Sequence, residues 1–271
     1  MRSDWCFGNH PLVSSCHGAR MYQMLLDHKV ALVTGTGTGI GQEIARLFAE
    51  HGARLVLLDK DAEANQAAAY SLDPSGQRAI AVNVDVRDRP GIDAAVSRTI
   101  QEWGQIDVLV NNAGIYPRQE FITMTERQWD EMHDVNLKSM FHSQQAVLPH
   151  MIARHRGKIV NISSVTFHLG APDLTHYVAS KGGVIGLSRS LAREVGKHNI
   201  HINCITPGAV LVEAEKAVVS EEQIRAFVAE QSLQRRILPI DIARTALFLS
   251  CELSDGMTGQ TVNVDGGWIM H

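Results

Sequence analysis

Tyr177 and Lys181 are the residues whose types and spacing first suggest chemistry. In Tyr177-Val178-Ala179-Ser180-Lys181 a phenol and an ammonium stand four residues apart. On a helix that spacing puts both on one face. A free phenol has a pKa near ~10, too high for a base at neutral pH. A cation beside it stabilises the phenolate and lowers that value, so the pair is expected to move a proton. Such pairs are common on ordinary helix surfaces, and this one gains weight from its neighbours. Ser163 and Ser164 follow the apolar run Lys158–Ile162. A serine hydroxyl there and the Tyr177 hydroxyl can converge on a carbonyl oxygen, where two fixed donors stabilise negative charge as it develops.

A second group would hold a dinucleotide. Thr34-Gly35-Thr36-Gly37-Thr38-Gly39-Ile40-Gly41 joins an apolar run to a helical pattern. Gly35 permits a tight turn, Gly39 lets the backbone approach a pyrophosphate, and Gly41 allows close helix–strand packing. Amides at the start of the helix supply donors and a positive dipole end. Asp59 closes the next apolar run, 18 residues after Gly41 (59 minus 41). A carboxylate there accepts hydrogen bonds from ribose hydroxyls and repels a 2′-phosphate, which favours NAD over NADP. Lys60, next in the chain, works against that repulsion.

These groups need a scaffold. Short apolar strands are expected at Lys29–Thr34, Arg54–Leu58, Ala79–Val84, Ile106–Val110, Lys158–Ile162, Ile200–Ile205 and Gln260–Val264. Helical patterns alternate with them: one from about Ile44 to Gly52, then Ala62–Leu72, Asp88–Trp103, Glu126–Arg154 with a break near Asp134–Asn136, His176–Lys197, Glu221–Ser232 and Asp241–Ser250. Nearly all-apolar strands alternating with helices predict an α/β fold, a doubly wound seven-stranded parallel sheet with helices on both faces. Residues 1–27 lack periodicity and are expected to be a loose extension; residues 28–271 read as one catalytic domain.

Composition narrows the function. The 271 residues carry 25 basic and 29 acidic side chains, net charge -4. That argues against nucleic-acid binding. No apolar run is long enough for a membrane span, and no signal peptide is recognisable. Cys6, Cys16, Cys204 and Cys251 show no disulfide pattern, which suits a cytoplasmic protein. Cys6, His10, Cys16 and His17 match no common zinc spacing, so no metal is expected. The segment from Val210 to Gln231 lacks a strand pattern and reads as a lid.

Together these motifs resemble the short-chain dehydrogenase/reductase family over residues 29 to about 270. Its T-G-x-x-x-G-x-G is Thr34 to Gly41. Its N-N-A-G is Asn111-Asn112-Ala113-Gly114, and its Y-x-x-x-K is Tyr177 to Lys181. The family serine lies 13 residues before the tyrosine (177 minus 164), which selects Ser164 over Ser163. The resemblance implies Tyr177 as acid/base and Lys181 as its partner and ribose ligand. It implies Ser164 as holder of the substrate oxygen and Asn136 as keeper of a proton-relay water. It places Asp85 and Val86 beside the adenine, and Pro207, Gly208 and the Val210 backbone at the carboxamide. It also implies a homotetramer built on the two long helices.

Two features depart from the family. Val212 stands where many members carry a threonine, and Thr166-Phe167 replaces a small pair after the serine. Thr166, Phe167, His168 and Tyr116 are therefore expected to shape the substrate side. Local runs such as Asn111–Pro117 and Thr175-His176-Tyr177 are similar to aryl-alcohol dehydrogenases of the phenylethanol type, and the stretch after Tyr177 to pyridoxal 4-dehydrogenase. The leading expectation is thus an NAD(H)-dependent oxidoreductase acting on a small secondary or aryl alcohol. The alternatives are a 3-oxoacyl carrier-protein reductase, for which Arg118, Arg127 and Arg154 are the candidate basic patch, a sugar dehydrogenase, and a non-catalytic NAD-binding protein.

Overall fold

The computed structural model describes residues 24–213 and 219–270. Seven strands form one sheet: β1 (Val30–Thr34), β2 (Arg54–Asp59), β3 (Ala79–Asn83), β4 (Val108–Asn111), β5 (Gly157–Ile162), β6 (Ile200–Pro207) and β7 (Thr261–Val264). Their order is β3-β2-β1-β4-β5-β6-β7, and every pairing is parallel. The expected doubly wound sheet is therefore present. Its order reverses between β1 and β4, so the loops after these two strands open the crevice where such sheets bind ligands.

Alternation along the strands explains the two layers. Ala31, Val33, Leu55 and Leu57 join a core with α1 (Gly39–Glu50), α2 (Ala62–Leu72) and α9 (Pro239–Ser250). Leu32, Val56 and Leu58 face the opposite core, closed by α3 (Arg89–Trp103), α5 (Ser139–Ala153) and α7 (Thr175–Val195). Successive residues of a strand point to opposite faces, so one apolar run feeds both cores. Phe48, with no exposed surface, pins α1 to the sheet; its burial contributes about 2–3 kcal/mol.

Two features differ from expectation, the start of the folded body and a short helix after β5, while the break near Asp134–Asn136 is present as a π turn. Leu26 is fully buried in the α1 side of the core, and its amide donates to the His51 carbonyl at 3.0 Å. Residues 24–27 thus belong to the folded body, because an exposed leucine there would leave the α1 end uncovered. The rest of the expected extension, with Cys6, His10, Cys16 and His17, lies outside the described residues. The long Glu126–Arg154 pattern is α4 (Glu126–His133), a π-helical turn (Asp134–Lys138) and α5. A π turn inserts one residue and re-aims the helix, and such turns gather at functional sites. A short helix, α6 (Thr166–Leu169), follows β5.

The expected lid holds α8 (Glu221–Glu230), while residues 214–218 lie outside the described residues. Val210 bridges Ile237, and Trp268 Nε1 donates to Glu230 at 2.7 Å. No helix among the described residues is long and apolar enough to cross a membrane.

Candidate active site

The glycine loop leaves β1 in conformations that require glycine. Gly35 has φ 71° and Gly39 has φ 64°, where a side chain is strained. A Cβ on Gly35 would strike the Ala113 backbone at 2.8 Å, and one on Gly41 would strike the Gly35 carbonyl. The loop therefore closes on the segment after β4. Asn112 Nδ2 donates to the Thr34 and Gly35 carbonyls at 3.0 Å, and Thr34 Oγ1 accepts from the Asn112 and Ala113 amides at 3.0 Å. Asn112 and Ala113 thus brace the loop. Thr36 is turned inward, its hydroxyl donating to Asn65 at 2.7 Å, so only its backbone faces the crevice.

At the start of α1, Thr38 is exposed and makes no side-chain cap, which leaves the first amides of the helix available to an outside acceptor. Asp59 accepts from the Gly37 amide at 2.8 Å and sits directly behind the loop. A Cβ on Gly37 would lie 3.2 Å from its Oδ2. Ile40, in the first turn of α1, is partly buried on the core. A cradle that needs glycine, an uncapped helix start and an adjacent carboxylate fit a pyrophosphate and ribose.

The other expected cofactor contacts are spread around this cradle. Val212 lies within 3.4 Å of a Cβ on Gly39, so the residue that departs from the family pattern caps the glycine loop. Asp85 is held by Arg87, whose hydrogen bonds keep its carboxyl below the ordinary range; Val86 is buried beside it. Gly208 closes on β7, where a Cβ would meet Asp265 Cα at 2.8 Å, and Pro207 pairs with Val264. Val210 is buried by its bridge to Ile237.

The reacting groups gather at the carboxyl ends of β4 and β5. Ser163 and Ser164 part company there. Ser163 Oγ donates to the Lys181 carbonyl at 2.8 Å and ties α7 to the strand. Ser164 accepts from Thr166 and lies beside Tyr177, where its hydroxyl favours the phenolate. Lys181 is 3% exposed; its Nζ donates to the Ile162 carbonyl at 2.9 Å and lies 5.6 Å from the Tyr177 ring centre. Asn136, fully buried in the π turn, clamps both the amide and the carbonyl of Ile115 at 2.8 Å and reaches Ser180 at 3.3 Å. A Cβ on Gly114 would come within 3.2 Å of Asn136 Oδ1 and 3.5 Å of Lys181 Nζ, so Gly114 keeps a passage open between them.

One electrostatic expectation is overturned. Burial pushes the Tyr177 phenol up to about 12, with the Ser164 hydrogen bond opposing and Tyr116 adding to the rise. Burial pulls the Lys181 ammonium down to about 8. The tyrosine is half-buried, set among Tyr116, Ser164 and Lys181. Desolvation therefore outweighs the cation one turn away, which spends its hydrogen bond on Ile162.

The substrate side is only partly as expected. Tyr116 is 40% exposed and meets the Tyr177 ring edge-on at 6.3 Å. Thr166 Oγ1 donates to Ser164 at 2.9 Å. Phe167 instead packs on Gly182, where a Cβ would meet its ring at 2.7 Å, and His168 meets Phe167 edge-on. Gly182 is turned roughly 100° from Lys181 around α7, so Phe167 covers the flank of the helix rather than its reactive face. The basic residues do not form one patch. Arg154 pairs with Asp107 at 2.9 Å at the far edge of the sheet, Arg127 lines a groove with Glu126, Asp130, Glu131 and Asp134, and Arg118 donates to the Pro172 carbonyl.

The sequence reading missed a polar spine behind these groups. Ser143 donates to Asn111, Asn111 to Asn161, and Asn161 to Ser188, at 2.6–2.8 Å. Only Asn111 carried a signal, as the first residue of the Asn-Asn-Ala-Gly run.

Comparison with known proteins agrees with this geometry. A family profile described as enoyl-(acyl carrier protein) reductase matches residues 35–269. The chain is 41% identical over 244 residues to a 3-oxoacyl-[acyl-carrier-protein] reductase of Chlamydia muridarum, covering 90% of this chain and 98% of that protein. It is 36% identical over 249 residues to the 2-dehydro-3-deoxy-D-gluconate 5-dehydrogenase of Escherichia coli, covering 90% and 96%. A solved 7α-hydroxysteroid dehydrogenase, complexed with NADH and 7-oxo glycochenodeoxycholic acid, matches with a TM-score of 0.87 at 33% identity, covering 92% of this chain and 97% of that one.

Proposed function

Because this chain belongs to the short-chain dehydrogenase/reductase family, we propose that it is an NAD(H)-dependent oxidoreductase interconverting a small secondary alcohol and its ketone, with Tyr177 moving the proton. The observation that carries the reading is the half-buried Tyr177 with Ser164 beside it and the buried Lys181 Nζ 5.6 Å from its ring, at the carboxyl edge of the sheet next to the glycine cradle. The dinucleotide, when bound, supplies the hydride donor or acceptor. The glycine loop, the open start of α1 and Asp59 are the residues that would hold it.

The chain's own part is proton handling and orientation. A phenol at about 12 keeps its proton at neutral pH and is therefore ready to donate to a ketone oxygen as negative charge grows there. Ser164 gives that oxygen a second donor. Lys181 holds its place through Ile162, and Asn136 fixes the floor beside Gly114. In the reverse direction Tyr177 first releases its own proton to solvent, and the phenolate then accepts the proton of the alcohol. Such proton transfer is the work of an enzyme, and the relatives carry the names of enzymes, which leaves no support for a non-catalytic binding protein.

The relatives are named for 3-oxoacyl and sugar-acid chemistry, so the aryl-alcohol specificity suggested by local likeness is not carried forward. We favour a small hydroxylated ketone of the sugar or sugar-acid class. The dispersed arginines offer no docking face for an acidic carrier, and Asp59 disfavours the 2′-phosphate of NADP. The second reading is a 3-oxoacyl carrier-protein reductase, favoured by the 41% identity to such an enzyme. Phe141, 47% exposed on α5, supports assembly of a homotetramer on the long helices.

A screen of NADH and NADPH oxidation against keto-sugar acids, 3-oxoacyl thioesters, aryl ketones and pyridoxal tests the reading. NADH-linked turnover of the keto-sugar acids is the expected result. Preference for 3-oxoacyl thioesters with NADPH would select the second reading. Asp59→Ala is expected to move preference toward NADPH by about tenfold; an unchanged ratio removes the role given to that carboxylate.

A further inference from the structure

We propose that Thr166 is a positioning residue that keeps the Ser164 proton aimed at the reacting oxygen. The inference rests on the Tyr177 reading above. A serine hydroxyl has two lone pairs and one proton. At Ser164 both lone pairs are engaged by Thr166: its amide donates at 3.2 Å and its Oγ1 at 2.9 Å. The one proton left to Ser164 must therefore leave on the side away from Thr166, where the Tyr177 phenol lies and where the serine favours its phenolate form.

The hydroxyl row has a second possible orientation. Tyr177 would donate to Ser164, and Ser164 to Thr166 Oγ1. In that arrangement the phenol proton points at serine and is lost to the substrate oxygen. The Thr166 amide cannot reverse, because it is only a donor. With one lone pair always taken by that amide, the direction of the row depends on Thr166 Oγ1. Its rotamer is restricted by the branched Cβ and by the start of α6. In ketone reduction the substrate oxygen takes the place of the Tyr177 oxygen as acceptor of the single Ser164 proton, and the Tyr177 proton is free to bond to that same oxygen. In alcohol oxidation it stabilises Tyr177 as the proton acceptor.

The test uses the full chain carrying Thr166→Val, which keeps the shape, Thr166→Ala as a second hydroxyl-free variant, and Thr166→Ser, which keeps the hydroxyl. The two hydroxyl-free variants are expected to lose about tenfold in kcat, the size of one hydrogen bond, with KM for the dinucleotide unchanged. The Tyr177 phenolate titration, read by ultraviolet absorbance as the difference from Tyr177→Phe, is expected to move to higher pH. Thr166→Ser is expected to restore both. In a Ser164→Ala background the loss at Thr166 is expected to vanish, because it acts through the serine. Wild-type kcat and titration in Thr166→Val and Thr166→Ala, or a full loss that persists without Ser164, would overturn the proposal. Tyr177→Phe with full turnover would instead overturn the proton role of Tyr177, whereas the titration reads the Thr166–Ser164–Tyr177 row without any turnover.

Discussion

The two ends of the sheet are both rich in charge and hydrogen-bonding groups, yet they use them in opposite ways. At the amino end a cavity of about 350 Å³ is lined by Lys29, Asp107, Arg154, Arg156, Lys158 and Asp255, among others. Three of its cations are paired with carboxylates: Arg154 with Asp107, Arg156 with Glu252 and Lys158 with Asp255, at 2.7–3.0 Å. At the carboxyl end Lys181 is buried and donates to a backbone carbonyl rather than a carboxylate, and Tyr177 stands beside the Ser164 hydroxyl, the Tyr116 ring and Lys181 itself. Paired charges there would stay ionised and inert. Unpaired burial moves Tyr177 and Lys181 apart in proton affinity, to about 12 and about 8, and holds both nearer their neutral forms. The cavity at the amino end is not the reactive site; what marks the reactive end is polar groups desolvated without a counter-charge.

The sharpest way to break this contrast is Tyr177→Phe. Loss of the proton path is expected to lower turnover by at least ~10³-fold while dinucleotide binding, followed by fluorescence, is kept. Near-normal turnover would mean that the carboxyl end works through some other group.

Lys181→Met is expected to lower turnover by about 10²-fold, and it also has a signature in stability. Lys181 releases its proton near pH 8 when folded and near 10.5 when unfolded. Between those values the unfolded chain binds the extra proton, so wild-type stability rises with pH across that window. The methionine variant should lack this rise in denaturant titrations at pH 8 and pH 10. Tyr177 has the opposite sign: its folded value of about 12 lies above the ordinary 10.0, so stability falls as pH rises between them.

The smallest effect on turnover is expected at the amino end. Asp107 is 5% exposed and accepts from both the Val30 amide and Arg154. Asp107→Asn should cost about 1–3 kcal/mol in stability and leave kcat unchanged. A matching loss of kcat would show that the two ends are coupled through β1 and β4.

Much of this was legible in the chain because it is local. Alternation of apolar runs and helical patterns led to the correct sheet. Gly35 and Gly39 mark their loop by a backbone demand that no other residue meets without strain. The four-residue spacing of Tyr177 and Lys181 is a property of one helix. The extent of the folded body was misjudged, since the burial of Leu26 depends on α1, which comes later in the chain.

The sequence by itself determined which groups line up: the phenol and ammonium on α7, the glycine turn before α1 and the carboxylate ending β2. Those relations span one turn or one connection, and backbone geometry is enough to specify them. The tertiary structure alone decided how the groups behave. It sent Ser163 to the α7 backbone and Ser164 to Tyr177, laid Phe167 on Gly182, and set Thr166 behind the serine. It also reversed the expected shift of the phenol, because desolvation is the work of distant segments closing over a group, and no local spacing records it.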